Sequence, residues 1–182
     1  MFLSDQEIIN NFRISGQENY AFSNLVTKYQ EKVYRLIRKM VIDHQDANDL
    51  TQEVFLKIWI KIRSFRAESQ LFTWIYRIAI NETINFIKAK KRRNLISLSK
   101  YEYQLQKKID MSPDFDGDEI QKRLLKAVLK IPEKQRLVFN LRYYQELSYE
   151  EIAEITGTTV GALKASYHLA VKKIEKFVFF VD

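Results

Sequence analysis

Apolar residues recur every three or four positions along most of this chain, a period that predicts helices rather than strands. From about Glu18 to Arg93 the pattern resolves into three long helices. The first carries Phe22, Leu25, Val26, Tyr29, Val33, Leu36, Ile37 and Met40, with Lys28, Lys32, Arg35 and Lys39 on other faces. Asp43-His-Gln-Asp46 interrupts it. Asp46 is expected to cap a second helix carrying Leu50, Val54, Ile58 and Ile62, with Phe55 and Trp59 alongside. A short polar connection, Ser64 to Ser69, leads to a third helix that runs into the basic cluster Lys88, Lys90, Lys91, Arg92 and Arg93.

Periodicity fades between Asn94 and Asp116, where Ser97, Ser99, Ser112, Pro113 and an acidic tip from Asp114 collect. This stretch reads as a linker with a transient helix around Tyr101 to Ile109. Two helices follow, roughly Asp118 to Lys130 and Pro132 to Gln145, and Pro132 suits the first turn of the second. The expected fold is therefore all-α. Two small helical domains, residues 1–93 and 117–182, are joined by a flexible linker over 94–116.

The segment from Leu147 to His168 carries the sharpest local signal. Ser148 followed by Glu151 forms a capping box, and Leu147 with Ile152 forms the apolar staple beside it. Gly157 falls where a tight turn needs a left-handed residue. Thr158 or Thr159 can cap a further helix whose apolar positions are Val160, Leu163, Tyr167, Val171 and Ile174. Two short helices around a Gly turn make a helix-turn-helix, the geometry that presents its second helix to a major groove. Gly161 and Ala162 permit close approach there. Thr159, Lys164, Ser166, His168 and Lys172 lie off the apolar stripe, where they can donate to phosphates or base edges. An ordinary helical hairpin would satisfy the same spacing.

Charge extends this picture to the other module. The 182 residues carry a net charge of +7 and 46% are hydrophobic, so real cores and a polyanionic partner are both in reach. Lys and Arg outnumber Asp and Glu sixteen to ten up to Arg93, three to four in the linker and eleven to nine afterwards. Most of the excess lies outside the helix-turn-helix, so the N-terminal module is expected to meet a polyanion too. There are no cysteines, which excludes disulfides and thiolate metal sites. The first residues lack a basic stretch followed by an apolar run, and no apolar segment approaches a membrane span. A cytoplasmic location without direct membrane insertion is the expectation.

The third helix sharpens the assignment. Leu71, Trp74, Ile75 and Ile78 share one face, and Phe72, Tyr76, Ile80 and Ile87 cover much of the opposite side. A narrow stripe of Arg77, Asn81, Asn85 and Lys88 remains, with two amides and no acid, offered to something polar. Just upstream, Phe65, Arg66, Phe72 and Trp74 set aromatics beside a base, which suits unstacked bases of a single strand, although core packing would also account for such aromatics. The second helix has the reverse character, with Asp46, Asp49, Gln52 and Glu53 at helical spacing. Carboxylates on one helix with no histidine partner do not make a metal site, and a protein partner fits them better.

Three segments carry a family resemblance: Asp46-Ala-Asn-Asp-Leu-Thr-Gln-Glu-Val-Phe55; Phe72-Thr-Trp-Ile-Tyr-Arg-Ile-Ala-Ile-Asn81; and Leu147-Ser-Tyr-Glu-Glu-Ile-Ala-Glu-Ile with Val160-Gly-Ala-Leu-Lys164. Together, in this order and with this linker, they closely resemble bacterial RNA polymerase sigma factors of the extracytoplasmic-function (ECF) group. The resemblance implies that Asp49, Gln52 and Glu53 dock on the clamp helices of the largest polymerase subunit. It implies that Arg77, Asn81 and Asn85 lie near the promoter element close to the start site, and that the loop from Phe65 to Gln70 captures a flipped base. The helix from Val160 would read the upstream element, the linker would thread the RNA-exit region, and an anti-sigma partner would restrain the protein. One departure stands out. Ser166, Leu169 and Val171 occupy places that many members fill with basic residues, which implies fewer phosphate contacts there. The apolar end, Phe177 to Val181, is read as an extension of the packed face beyond Ile174.

No phosphate-cradling Gly loop, catalytic His pair or activated nucleophile is visible, so no enzymatic activity, cofactor or metal is expected. The expected partners are core RNA polymerase, promoter DNA and an anti-sigma factor. The rival from the residues alone is a stand-alone duplex-binding regulator. It gives no use for the Arg-Asn stripe.

Overall fold

The computed structural model describes residues 3–93, 98–111 and 119–179, and all regular structure among them is helical. The helices are α1 (Asp5–Phe12), α2 (Glu18–Val41), α3 (His44–Lys61), α4 (Leu71–Arg93), α5 (Leu98–Met111), α6 (Glu119–Leu129), α7 (Glu133–Phe139), α8 (Tyr149–Thr156) and α9 (Val160–Phe179). They divide into two compact units, Met1–Asn85 and Phe86–Asp182. The division falls inside α4, eight residues before the boundary expected at Arg93.

In the first unit, α1 was not anticipated from the sequence. Ser4 starts it with a capping box: its hydroxyl accepts from the Glu7 N–H at 3.2 Å, and the Glu7 carboxylate accepts from the Ser4 N–H at 2.7 Å. Asp5 ties α1 to α2 by accepting from the Lys28 ammonium at 2.7 Å and the Tyr29 hydroxyl at 2.7 Å. Burial, and then the Asp5 carboxylate, push the Tyr29 phenol well above its usual pKa, so it stays a donor. The main core joins Leu25, Val33, Leu36 and Ile37 of α2 to Leu50, Val54 and Ile58 of α3, all buried. Ile75, Tyr76, Ala79, Ile80 and Thr83 give α4 its buried face, and burial pushes the Tyr76 phenol up to about 12. The start of α3 corrects the expected cap. Asp43, in extended backbone, accepts from the Asp46 N–H at 2.9 Å, so Asp46 is the capped residue rather than the cap.

The second unit packs α6, α7 and α9 around Ala127, Val128, Ile131, Phe139, Ala170 and Ile174. Beyond Phe139 the chain widens into a π-helical turn, Asn140–Tyr144, in place of the single helix expected to Gln145. Residues 98–111, read as linker, form the full helix α5 with Leu105 and Ile109 buried. Two buried positions four apart, among its described residues, were too sparse a signal to separate a docked helix from a transient one. Val178 packs on the core as the sequence suggested, whereas Phe179 is 77% exposed. The acidic tip from Asp114 and the last residues from Phe180 lie outside the described residues.

The helix-turn-helix forms as its local chemistry dictates. Ser148 and Glu151 make the reciprocal capping bonds, and Gly157 ends α8 in the left-handed region at φ 68°. A Cβ added at Gly157 would meet no atom within 4 Å, so a substitution there acts through backbone conformation alone. Gly157→Ala should therefore destabilise the second unit by about 1 kcal/mol, read from urea unfolding followed by circular dichroism. An effect near zero would mean that the turn relaxes out of the left-handed region.

Candidate nucleic-acid interface

Three solvent-facing strips stand out, and each is the side of a helix left over once its apolar face is buried. On α4, Arg77, Asn81, Asn85 and Lys88 are all exposed and recur at three- and four-residue steps, so they line one edge. The neighbouring Thr83 turns inward and donates to the Ala79 carbonyl at 2.7 Å. The stripe read from the sequence is therefore assembled as expected.

The connection before α4 is different. Phe65 is 8% exposed and packs on Trp74 with ring centroids 5.1 Å apart, so its ring is not presented to solvent as the aromatic reading required. Ile62 to Ser64 form a 3-10 turn just before it, and the Phe65 N–H bonds back to the Ile62 carbonyl. Phe65 instead floors a cleft of about 480 Å³ with Ile9, Phe12 and Ile62, with Arg13 and Arg63 also in its wall. Arg66, Ala67, Glu68 and Gln70 are exposed in this loop, and Ala67 holds φ 57°.

On α3, Asp49, Gln52 and Glu53 are exposed on the side opposite Leu50, Val54 and Ile58. The sequence reading missed that the strip continues: Leu56 is 63% exposed and Ile60 is 74% exposed. Their signal was a second i, i+4 apolar pair out of phase with the core set, hidden by the general apolarity of this helix. The strip is thus acidic toward its start and apolar toward its end. Lys57 pairs with Glu82 of α4.

In the second unit, Leu163, Ala170 and Ile174 bury the inner face of α9. Gly161, Ala165, His168 and Lys172 fall on the outer face, all exposed. Thr159 acts as the cap, its hydroxyl accepting from the Ala162 N–H at 3.4 Å. Lys164 and Ser166 sit on opposite flanks. The Lys164 ammonium lies 5.7 Å from the Tyr149 ring at the start of α8, and Ser166 lines a groove of about 970 Å³ against the α6–α7 corner. That corner brings Lys130 and Lys134 beside α9, two cations the sequence reading did not connect with it. Among the described residues, no group of three or more His, Asp or Glu side chains is placed to hold a metal ion. No described helix is long and apolar enough to cross a membrane.

Comparison with known proteins decides what these strips belong to. Residues 25–93 match the family model for sigma-70 region 2, and residues 121–174 match that for sigma-70 region 4. The chain is 34% identical to the RNA polymerase sigma-H factor of Pseudomonas aeruginosa over 94% of this chain and 92% of that protein. It belongs to the ECF sigma factors. A further relative, the ECF RNA polymerase sigma-E factor of Escherichia coli, is 32% identical over 97% of this chain and 95% of its own length. The fold matches CnrH, solved in complex with the cytosolic domain of CnrY, with TM-score 0.72 and 18% identity over 98% of this chain and 99% of that one. It also matches the sigma factor RpoE of Bartonella quintana, solved with the anti-sigma factor NepR, with TM-score 0.67 and 21% identity over 86% and 95%. As an ECF sigma factor the chain is a DNA-binding transcription initiation factor. Region 2 holds the α3 and α4 strips, and region 4 holds the helix-turn-helix.

Because Asn81 and Asn85 are exposed on α4, neither supports the fold. Alanine at either position should change unfolding free energy by less than about 0.5 kcal/mol, measured by chemical denaturation. A loss above about 2 kcal/mol would assign the stripe to packing instead.

Proposed function

We propose that this sigma factor recruits core RNA polymerase through α3, reads two promoter elements with α4 and α9, and stabilises the melted strand in the loop before α4. The observation that carries this reading is the separation of chemistries on the region 2 unit. One helix exposes an acidic and apolar strip, and another exposes only Arg, Asn and Lys. Asp49, Gln52 and Glu53, continued by Leu56 and Ile60, suit a basic and apolar protein surface. An acidic strip repels DNA, so the two strips serve different partners.

Arg77, Asn81, Asn85 and Lys88 supply donors to the downstream element, with amides suited to base edges and cations to phosphates. The cleft above Phe65 has room for one unstacked base, with Arg13 at hand for a flanking phosphate and Arg63 paired with Glu18 in the same wall. In this reading Phe65 anchors the loop and forms the floor. On α9, His168 and Lys172 of the outer face enter the major groove, while Thr159, Lys164 and Ser166 border it. Lys130 and Lys134 supply cations on the flank where Ser166 and Leu169 bring none. Residues 1–93 and 117–182 act as the two promoter-reading parts, with 94–116 between them. An anti-sigma factor is a further partner, supported by the complexes in which CnrH and RpoE were solved. The reading calls for a cytoplasmic protein and for no cofactor.

Run-off transcription with bacterial core polymerase on promoter fragments from the source genome tests the whole reading. Transcripts that depend on this protein are the expected result. Their absence, together with tight duplex binding by the protein alone, would favour a stand-alone regulator.

Two variants separate the strips. Asn81→Ala should lower open-complex formation by roughly tenfold or more while core binding is retained. Glu53→Lys should weaken core binding and leave binding of the free protein to promoter duplex within about twofold. The converse pattern would reverse the assignment of the two helices. Duplex binding should also fall steeply with added salt, with a slope near −0.9 per neutralised phosphate.

A further inference from the structure

Leu169 belongs to α9, the helix assigned above to the major groove, and is 48% exposed. Ala165, one turn earlier, continues its line along the helix and is exposed as well. Neither side chain can donate or accept a hydrogen bond. The donors stand to either side. His168 and Lys172 occupy the outer face, and Ser166 turns toward the groove of about 970 Å³ between α9 and the α6–α7 corner. Leu169 lines that groove, and Lys130 and Lys134 supply cations to its other wall. The Lys130 ammonium lies 4.9 Å from the centre of the Phe177 ring, which holds it beside α9. Glu133, the acid lining the same wall, is paired with Lys91.

Charge and apolarity together select the occupant. Two lysines beside a neutralised acid favour a polyanion, and a second copy of this basic chain is not one. A duplex supplies the anion on its backbone and something apolar in its major groove. Every base pair presents donors and acceptors there, but the C5-methyl of thymine is the apolar group among them. Against a guanine, adenine or cytosine edge, Leu169 would strip water from polar atoms and return no hydrogen bond. Against a thymine methyl, apolar surface is buried on both partners. One side chain therefore attracts one base and penalises the others.

We propose that Leu169 is a specificity-determining residue that reads a thymine methyl in the upstream element, with Lys130 and Lys134 holding the phosphates of the strand beside it. The proposal rests on the reading above in which α9 enters the major groove. Ala165 leaves room for the base pair to come up to the helix. Leucine at 169 thus trades a phosphate contact, which any sequence satisfies, for a contact that one base satisfies.

Deoxyuridine isolates this contact, because it lacks the methyl of thymine and keeps the same hydrogen-bonding edge. The experiment takes a promoter fragment that gives protein-dependent run-off transcripts, maps its upstream element by footprinting, and replaces each thymine of the element singly by deoxyuridine. Binding by the complex of core polymerase with the full chain is then measured for each fragment. We expect one position at which the replacement weakens binding about fourfold, the worth of one buried methyl group. With Leu169→Ala, thymine and uracil at that position should bind equally. With Leu169→Arg the preference should also vanish, while the salt dependence steepens by about one unit of slope. Leu169 is exposed, so both variants should fold, which circular dichroism checks. Indifference to uracil at every position would overturn the methyl reading and leave the groove to an acidic protein segment. A uracil effect that persists in Leu169→Ala would overturn the assignment to this residue. Either result leaves the promoter reading intact. Failure of the unmodified protein to give any run-off transcript would overturn the promoter reading itself, and the methyl reading with it.

Discussion

A small helical unit can bury one side of each helix, and everything else in this molecule depends on that limit. In α3, turning Leu50, Val54 and Ile58 inward leaves Asp49, Gln52, Glu53, Leu56 and Ile60 facing out. In α4, burial of Ile75, Tyr76, Ala79 and Thr83 forces Arg77, Asn81, Asn85 and Lys88 onto the free edge. In α9, Leu163, Ala170 and Ile174 fix the rotation that turns Gly161, Ala165, His168 and Lys172 outward. The cores therefore act as orienting devices. Each one aims a particular surface chemistry, and a helix turned by one residue would aim another.

The parts legible in the sequence were those whose cause is local or strongly periodic. Ser148, Glu151 and Gly157 specify the α8 turn with hydrogen bonds and one backbone conformation, all within ten residues. The long stripes of α2 and α4 repeat often enough to fix a phase. What escaped had a distant or sparse cause. Helix α1 is eight residues long and is held by Asp5 reaching Lys28 and Tyr29, partners more than twenty positions away. Helix α5 shows two buried positions among its described residues, and it packs on another helix. Asp43 and Asp46 are chemically equal candidates for one cap, and only backbone conformation distinguishes them. Phe65 met the compositional requirement for stacking on a base, yet its ring packs on Trp74 just after a 3-10 turn.

Electrostatics divides the labour between the two units in a way that net charge alone conceals. The excess of basic residues lies on the region 2 side, but so does the acidic strip of α3. Opposite surface signs on neighbouring helices orient an approaching polyanion as well as attract it, because only one edge is favourable. In the region 4 unit the cations come from several helices. Lys172 stands on α9, Lys164 leans over the Tyr149 ring, and Lys130 and Lys134 come from the α6–α7 corner. These cations stand on more than one flank of α9 even though Ser166 and Leu169 within it are uncharged.

The loop before α4 has a mechanical side as well. Ala67 sits at φ 57°, where an L-residue other than glycine holds its conformation at a cost of roughly 1–2 kcal/mol. A glycine would be at ease there, but it would also let the loop wander among many shapes. Alanine narrows the choice and keeps the segment between Phe65 and Leu71 taut. A taut loop surrenders little freedom on binding, so part of that ordering entropy has been spent during folding.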